Sequence, residues 1–185
     1  AIGGSMPPLI EHKASLISAA AARIGIRADK ALVRDLAAEV EWSKVSMLDA
    51  DAYVEAVRAN RRTPPGDLSV DNVLALMDAY QEAKEDRGVL DFEDVLVLTA
   101  GILQDYPAIA QRIHRQYRSF VVDEYQDVSA LQHHVLNLWL GGRHDICVVG
   151  DVAQTIYSFA GASPRYLQDF AQEHKGARVV QLVRD

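Results

Sequence analysis

Two short apolar runs, each ending abruptly in acid, constrain this 185-residue chain more than any other feature. Ser119-Phe120-Val121-Val122 gives way to Asp123-Glu124-Tyr125-Gln126-Asp127, and Ile146-Cys147-Val148-Val149 gives way to Gly150-Asp151. Runs of this length read as strands buried in a parallel sheet, and a helical pattern from Val128 to Leu140, ended by Gly141-Gly142, separates them. The acids are thereby delivered to the carboxyl edge of a sheet, where open α/β folds hold phosphates. A carboxylate at such an edge can hold Mg²⁺ directly or through water, while its neighbour points the other way along the pleat and reaches a different partner.

The alternation of strand and helix begins only after residue 118. A helix is expected from Arg165 to His174 and a third strand from Ala177 to Val183. Everything before is helical in pattern. From Pro7-Pro8, the apolar positions Leu9, Leu16, Ile17, Ala20, Ala21 and Ile24 read as a helix ending near Gly25. Asp29 caps a second helix with Leu32, Val33, Leu36, Ala37 and Val40 on one face. Asp49 or Asp51 starts a third, Ser69 opens a long one that closes at Arg87-Gly88, Asp91 caps the next, and Pro107 begins the last. Trp42 and Met47 are expected between helices, and Thr63-Pro64-Pro65-Gly66-Asp67 forms a surface loop. Glu93 and Asp94 fall in a first helical turn, where acids stabilise any helix.

Charge and composition exclude several classes. A net charge of −7 is the wrong sign for capture of nucleic acid by bulk electrostatics, so DNA contacts would have to be local. Arg58, Arg61 and Arg62 form one basic cluster and Arg112, Arg115 and Arg118 another; either can be a phosphate contact or a solvated helix end suited to the macrodipole. No run approaches the length of a membrane helix and no signal peptide is visible, which gives a cytoplasmic expectation. Cys147, the single cysteine, reads as core packing. His133 and His134 are adjacent on a helix and point apart, and no other histidine has a partner at ligand spacing. Ser158 lies outside any Gly-x-Ser-x-Gly turn.

The acidic segment Asp123-Glu124-Tyr125-Gln126-Asp127 resembles the DExQD (Walker B) motif of superfamily one helicases of the UvrD/Rep/PcrA type. The segment Val149-Gly150-Asp151-Val152-Ala153-Gln154-Thr155-Ile156-Tyr157-Ser158-Phe159-Ala160-Gly161-Ala162 resembles their third motif, and Leu90-Asp91-Phe92-Glu93-Asp94-Val95-Leu96 the segment that precedes Walker B. The resemblance runs over about residues 7 to 185 and is strongest from 88 onward. It implies an α/β, P-loop NTPase-type (RecA-like) partial parallel sheet, preceded by an all-helical subdomain. Residues 1–6 would be an engineered scar or linker, 7–117 the helical subdomain inserted in the first motor domain, and 118–185 the C-terminal part of that motor domain. The activity implied is ATP-dependent 3′ to 5′ DNA unwinding in repair or replication, with ATP and Mg²⁺ as cofactors. Single-stranded and duplex-junction DNA and the remaining helicase domains would be its partners, in the cytoplasm and at the nucleoid. By the same resemblance Asp123 holds Mg²⁺, Glu124 polarises the attacking water, Gln154 and Asp151 serve the nucleotide, and Tyr157 and Phe159 face single-stranded DNA. Ala160 stands where the family often has Arg, and Val152 at an often polar or Pro position.

No Gly-x-x-x-x-Gly-Lys-[Ser/Thr] loop occurs in the sequence, and that loop supplies the phosphate cradle and its Lys. In the family it lies upstream, and Val180-Gln181-Leu182-Val183-Arg184-Asp185 resembles the approach to the fourth motif, so the chain reads as an internal fragment of a larger motor. The 185 residues alone are expected to hydrolyse no ATP above background; turnover abolished by Glu124→Gln would overturn that. Two rival readings remain at this level. One is a non-catalytic helical module for DNA or protein interaction. The other is a nuclease using Asp123, Glu124, Asp127 and Asp151 as metal ligands, which would cleave with Mg²⁺ and no ATP.

Overall fold

Asp29, Asp49, Ser69, Asp91 and Ser129 each stand one residue ahead of a helix. Each side chain accepts a hydrogen bond from the backbone amide three residues on, at 2.8, 2.8, 3.2, 2.9 and 3.3 Å. These caps satisfy amides that the first helical turn leaves open, and they set the starts of α2 (Lys30–Val45), α3 (Ala50–Arg58), α4 (Val70–Arg87), α5 (Phe92–Asp105) and α7 (Ala130–Leu140). Ahead of α2 lies α1 (Ala14–Arg23), and between α5 and α7 come α6 (Pro107–Gln116) and the strand β1 (Phe120–Val122). The strand β2 (Ile146–Val148) and two single-turn helices, α8 (Arg165–Gln168) and α9 (Phe170–Glu173), follow. The structure, a computed structural model, describes residues 6–182; residues 1–5 of the expected linker and Val183, Arg184 and Asp185 lie outside the described residues. The chain divides into two compact units, Ala1–Thr99 and Ala100–Asp185.

In the first unit, α1 and α4 pack together over Leu16, Ile17, Ala20, Ala21, Leu76, Ala79 and Tyr80, with Val33, Leu36 and Val40 of α2 closing the same core. Burial of these side chains stabilises the unit by about 1.5–3 kcal/mol for each large one. The helix expected from Pro7 starts only at Ala14. The stretch Pro8–Ile10 instead pairs with Leu90, the Ile10 amide donating to the Leu90 carbonyl at 2.8 Å and the Leu90 amide to the Pro8 carbonyl at 3.0 Å. That pairing with a distant residue outweighs the local apolar pattern. Met47 does not pack between helices either: it ends α2 in the left-handed region (φ 56) and is 49% exposed. Trp42 does pack, edge-on to Tyr53 at 6.3 Å and under the Arg62 guanidinium at 4.3 Å. Arg62 also pairs with buried Glu39 at 2.6 Å, so one cation of that basic cluster is engaged inside the fold.

A largely buried ionic cluster joins side chains of α2 and α4 to the start of α5. Lys44, Lys84, Asp91 and Asp94 interlock: Lys44 Nζ reaches Asp91 at 2.9 Å and Asp94 at 2.6 Å, Lys84 Nζ reaches Asp91 at 3.1 Å and also Asp94, and the Tyr80 hydroxyl donates to Asp91 at 3.0 Å. Glu93 pairs with Lys13, which stands directly ahead of α1. The first-turn acids of α5 therefore do more than answer the helix dipole.

In the second unit, β1 and β2 pair in parallel with Phe120, Val121 and Val122 opposite Ile146, Cys147 and Val148. One face is covered: Tyr117 and Phe120 stand edge-on to Trp139 of α7 at 5.3 and 5.6 Å. The other face is bare among the described residues, where Val121 is 78% exposed and Cys147 is exposed too. The expectation of fully buried strands and a packed cysteine is corrected accordingly, because no layer of the described chain covers that side. The third strand expected from Ala177 is absent over 177–182, where Val179, Val180 and Leu182 are 68%, 67% and 93% exposed and no described edge pairs with them. The single helix expected from Arg165 to His174 is broken at Asp169. The break sets Phe170 edge-on to Tyr125 at 5.8 Å, and Tyr166 stacks on His133 at 4.1 Å. At the end of α7, Gly141 takes φ 61, and a Cβ there would lie 2.3 Å from the His114 ring.

Candidate functional site

Parallel pairing sets the two acidic strand ends side by side. Beyond the strands the ladder continues for two more bonds, Val149 amide to Val122 carbonyl at 2.8 Å and Tyr125 amide to Val149 carbonyl at 2.9 Å. Between them the chain turns sharply at Glu124, which sits in the left-handed region at φ 51, ψ 40. That conformation costs a non-glycine residue about 1–2 kcal/mol. Asp123 and Glu124 therefore do not alternate along a pleat as the sequence suggests. The turn leaves both exposed and drives the next two side chains, Tyr125 and Gln126, to 1% exposure. The Tyr125 hydroxyl meets His133 Nδ1 at 3.0 Å, and its burial pushes the phenol up to about 12. Burial likewise holds His133 below the usual histidine value.

Sequence reasoning gives Gln126 no role, yet it is the residue that joins the two acidic ends. Its Nε2 donates to Glu124 Oε2 at 2.7 Å, and its Oε1 accepts from the Asp151 amide at 3.0 Å. Gly150 makes room for it, since a Cβ there would lie 2.5 Å from Gln126 Oε1 and 2.9 Å from Leu167 Cδ2. Asp127 makes a second, longer tie, its Oδ1 accepting from the amides of Ile156 and Tyr157 at 3.3 and 3.4 Å. The signal for either role in the sequence is their place in the acidic segment Asp123-Glu124-Tyr125-Gln126-Asp127.

Asp151 opens a short 3₁₀ turn, accepting from the Ala153 amide at 2.9 Å and from Gln154 Nε2 at 2.9 Å. The Gln154 side chain and the Ala153 amide hold the Asp151 carboxyl below the usual carboxylate range. Tyr157 and Phe159 follow. The segment that carries them is a second 3₁₀ turn, Ser158–Ala160, closed by Gly161 at φ 96. The turn presents both rings to solvent, 51% and 70% exposed, with centroids 6.3 Å apart and planes inclined at 46°. Ile156, 64% exposed, flanks them.

The donor set suits a cation shared with a phosphate. Asp123 is exposed, and its Oδ1 accepts from the Glu124 amide at 2.9 Å, which orients the carboxylate. Mg²⁺ bound with nucleotide commonly takes one or two carboxylates, with phosphates and water completing the shell. Among the described residues no three His, Cys, Asp or Glu side chains are arranged to hold a metal ion by themselves. No described helix is long and apolar enough to cross a membrane.

The family described as the UvrD/REP helicase N-terminal domain matches residues 13–175. The ATP-dependent DNA helicase UvrD2 of Mycobacterium tuberculosis is 47% identical over 181 residues, 96% of this chain and 25% of that protein. The ATP-dependent DNA helicase UvrD1 of the same organism is 38% identical over 118 residues, 60% of this chain and 15% of that protein. UvrD1 of Mycobacterium leprae is 28% identical over 183 residues, covering 94% of this chain and 23% of the relative. The chain thus spans about a quarter of the length of UvrD2.

Proposed function

This chain belongs to the UvrD/REP helicase N-terminal domain family, and from that membership we propose that it is part of an ATP-dependent DNA helicase moving 3′ to 5′ on one strand. The observation that carries the reading is the parallel register of β1 and β2, which brings Asp123-Glu124 and Asp151 to one edge of the sheet. Residues 7–117 are the helical subdomain inserted in the first motor domain, and 118–185 are the C-terminal part of that RecA-like domain. DNA and the other helicase domains are its partners, in the cytoplasm and at the nucleoid.

ATP bound with Mg²⁺ supplies the phosphoanhydride whose hydrolysis drives the motor. This chain's part in that chemistry is positioning and charge. Asp123, exposed at the strand end, offers its carboxylate to the cation. Glu124, held by Gln126, orients and accepts a proton from the attacking water. Gln154, on the turn that Asp151 opens, senses the terminal phosphate, and Tyr157 and Phe159 on the next turn stack on bases. Nucleotide state and DNA grip are coupled because both depend on one short segment tied down by Asp127.

The test is unwinding by the full-length protein with ATP and Mg²⁺ on duplexes carrying either a 3′ or a 5′ single-stranded tail. The 3′-tailed duplex should be unwound; preference for the 5′ tail, or unwinding without ATP, would overturn the reading. A narrower test concerns Phe159. Base stacking is worth about 1–3 kcal/mol per base, so Phe159→Ala in the full-length protein is expected to weaken single-strand binding about ten-fold or more. Because the ring is 70% exposed, the thermal midpoint should hardly move. Fluorescence anisotropy on an oligonucleotide at fixed salt, paired with a melt, measures both. Undiminished affinity would take Phe159 out of the DNA contact.

A further inference from the structure

We infer that Gln126 is a positioning residue of the hydrolytic site, one that holds Glu124 and ties its placement to the Asp151–Gln154 turn; this rests on the helicase reading above. Four side chains and one backbone amide form a continuous line. Glu124 Oε2 accepts from Gln126 Nε2 at 2.7 Å, Gln126 Oε1 accepts from the Asp151 amide at 3.0 Å, and Asp151 Oδ2 accepts from Gln154 Nε2 at 2.9 Å. The line runs from the carboxylate that acts on water to the amide that senses the phosphate.

Gln126 differs from every other member of that line in being buried, at 1% exposure, whereas Glu124, Asp151 and Gln154 are exposed. A buried primary amide is costly unless both of its ends are satisfied. Here both ends are, and each partner belongs to a different strand end. Two further features fix the amide in place. Gly150 leaves only enough space for Gln126 Oε1, with 2.5 Å to a hypothetical Cβ. Glu124 is held in the left-handed region at φ 51, a conformation that the surrounding bonds must sustain. An amide locked at both ends transmits a displacement: if the Asp151 turn moves when Gln154 meets a phosphate, the Gln126 carbonyl moves with it and its Nε2 re-aims Glu124. The line is a physical connection with named bonds at each step.

Gln126→Leu keeps the volume and removes the bonds to Glu124, to the Asp151 amide and, at 3.4 Å, to Asp127. In the full-length protein it is expected to lower kcat for DNA-stimulated ATP hydrolysis about 10- to 100-fold, the effect of losing a hydrogen bond to a charged group, with KM for ATP changed less than about three-fold. Combined with Glu124→Gln it should add little to the loss from Glu124→Gln alone, because Gln126 acts through Glu124. A second readout needs no nucleotide: hydrogen exchange at the Asp151 amide should speed up in Gln126→Leu while exchange in β1 and β2 is retained. Gly150→Ala provides a variant that leaves Gln126 in place but crowds its carbonyl, and it should shift kcat and Asp151 exchange in the same directions. If Gln126→Leu does not fold, Gly150→Ala decides. Unchanged kcat in a folded variant, full additivity with Glu124→Gln, or unaltered exchange at Asp151 would each overturn the inference while leaving the helicase reading intact. A wild-type protein without ATPase activity would overturn both.

Discussion

Glu124→Gln in the full-length protein is expected to lower kcat for ATP hydrolysis by about 10²–10⁴-fold, the usual worth of a positioned general base. Nucleotide affinity should stay within a few-fold. The separation follows from the geometry. A glutamine at 124 still offers a carbonyl oxygen to Gln126 Nε2, which now stands 2.7 Å from Glu124 Oε2, so the side chain keeps its place and loses only its charge and basicity. Asp123 and Gln154 are untouched, so the cation and phosphate contacts proposed for them should persist. Steady-state turnover at saturating DNA, together with equilibrium binding of a fluorescent nucleotide, measures the two quantities. An unchanged kcat would remove Glu124 from the hydrolytic role; a parallel collapse of binding would recast it as part of the nucleotide cradle.

The same residues show how far the sequence reaches. Local signals are legible where the energy is local: Asp29, Ser69 and Asp91 cap the helices they are expected to cap, and Gly88 and Gly141 close theirs with positive φ. The parallel pairing of the two apolar runs is legible too, because a strand, helix, strand pattern has few ways to pack. What stays hidden depends on partners far along the chain. Leu9 lies extended beside Leu90 although its neighbours have helical periodicity. Gln126 looks like an ordinary polar residue until the second strand end arrives to donate to its carbonyl. Val121 and Cys147 read as buried because parallel strands usually are, yet nothing in the described chain covers their side of the sheet. Lys84 carries one signal that the sequence reading passes over. It falls one turn beyond Tyr80 on the face that also buries Leu76, where a cation must find anions or disrupt the core.

Asp91→Ala is expected to destabilise the helical unit by about 3–5 kcal/mol, the range for breaking a buried ion pair by removing one partner. Asp91 has no exposed surface and Lys84 has 1%. Two ammonium groups and two carboxylates balance in the cluster; the substitution leaves both lysines to share Asp94, the Tyr80 hydroxyl without its acceptor, and the first turn of α5 without its cap. Lys84 must then be desolvated as a poorly paired cation or give up its proton, and either outcome costs stability. Burial acts against the Asp91 charge, but Lys44, the Asp94 amide and Lys84 overcome it and hold the carboxyl well below the usual range. A folded value below the unfolded one gives stability that is fully present above the unfolded aspartate value of about 3.9 and is lost as pH falls below it. Wild-type stability should therefore decline from about pH 4 downward more steeply than that of Asp91→Ala, which lacks the titrating group. Denaturant melts of the two proteins at about pH 7 and about pH 3 give both comparisons. Coupling is tested by adding Lys84→Met: removing the cation together with its anion should cost less than the two single losses combined. A loss under about 1 kcal/mol at neutral pH for Asp91→Ala, or strict additivity with Lys84→Met, would show that the cluster is solvated and contributes little to holding the helical unit together.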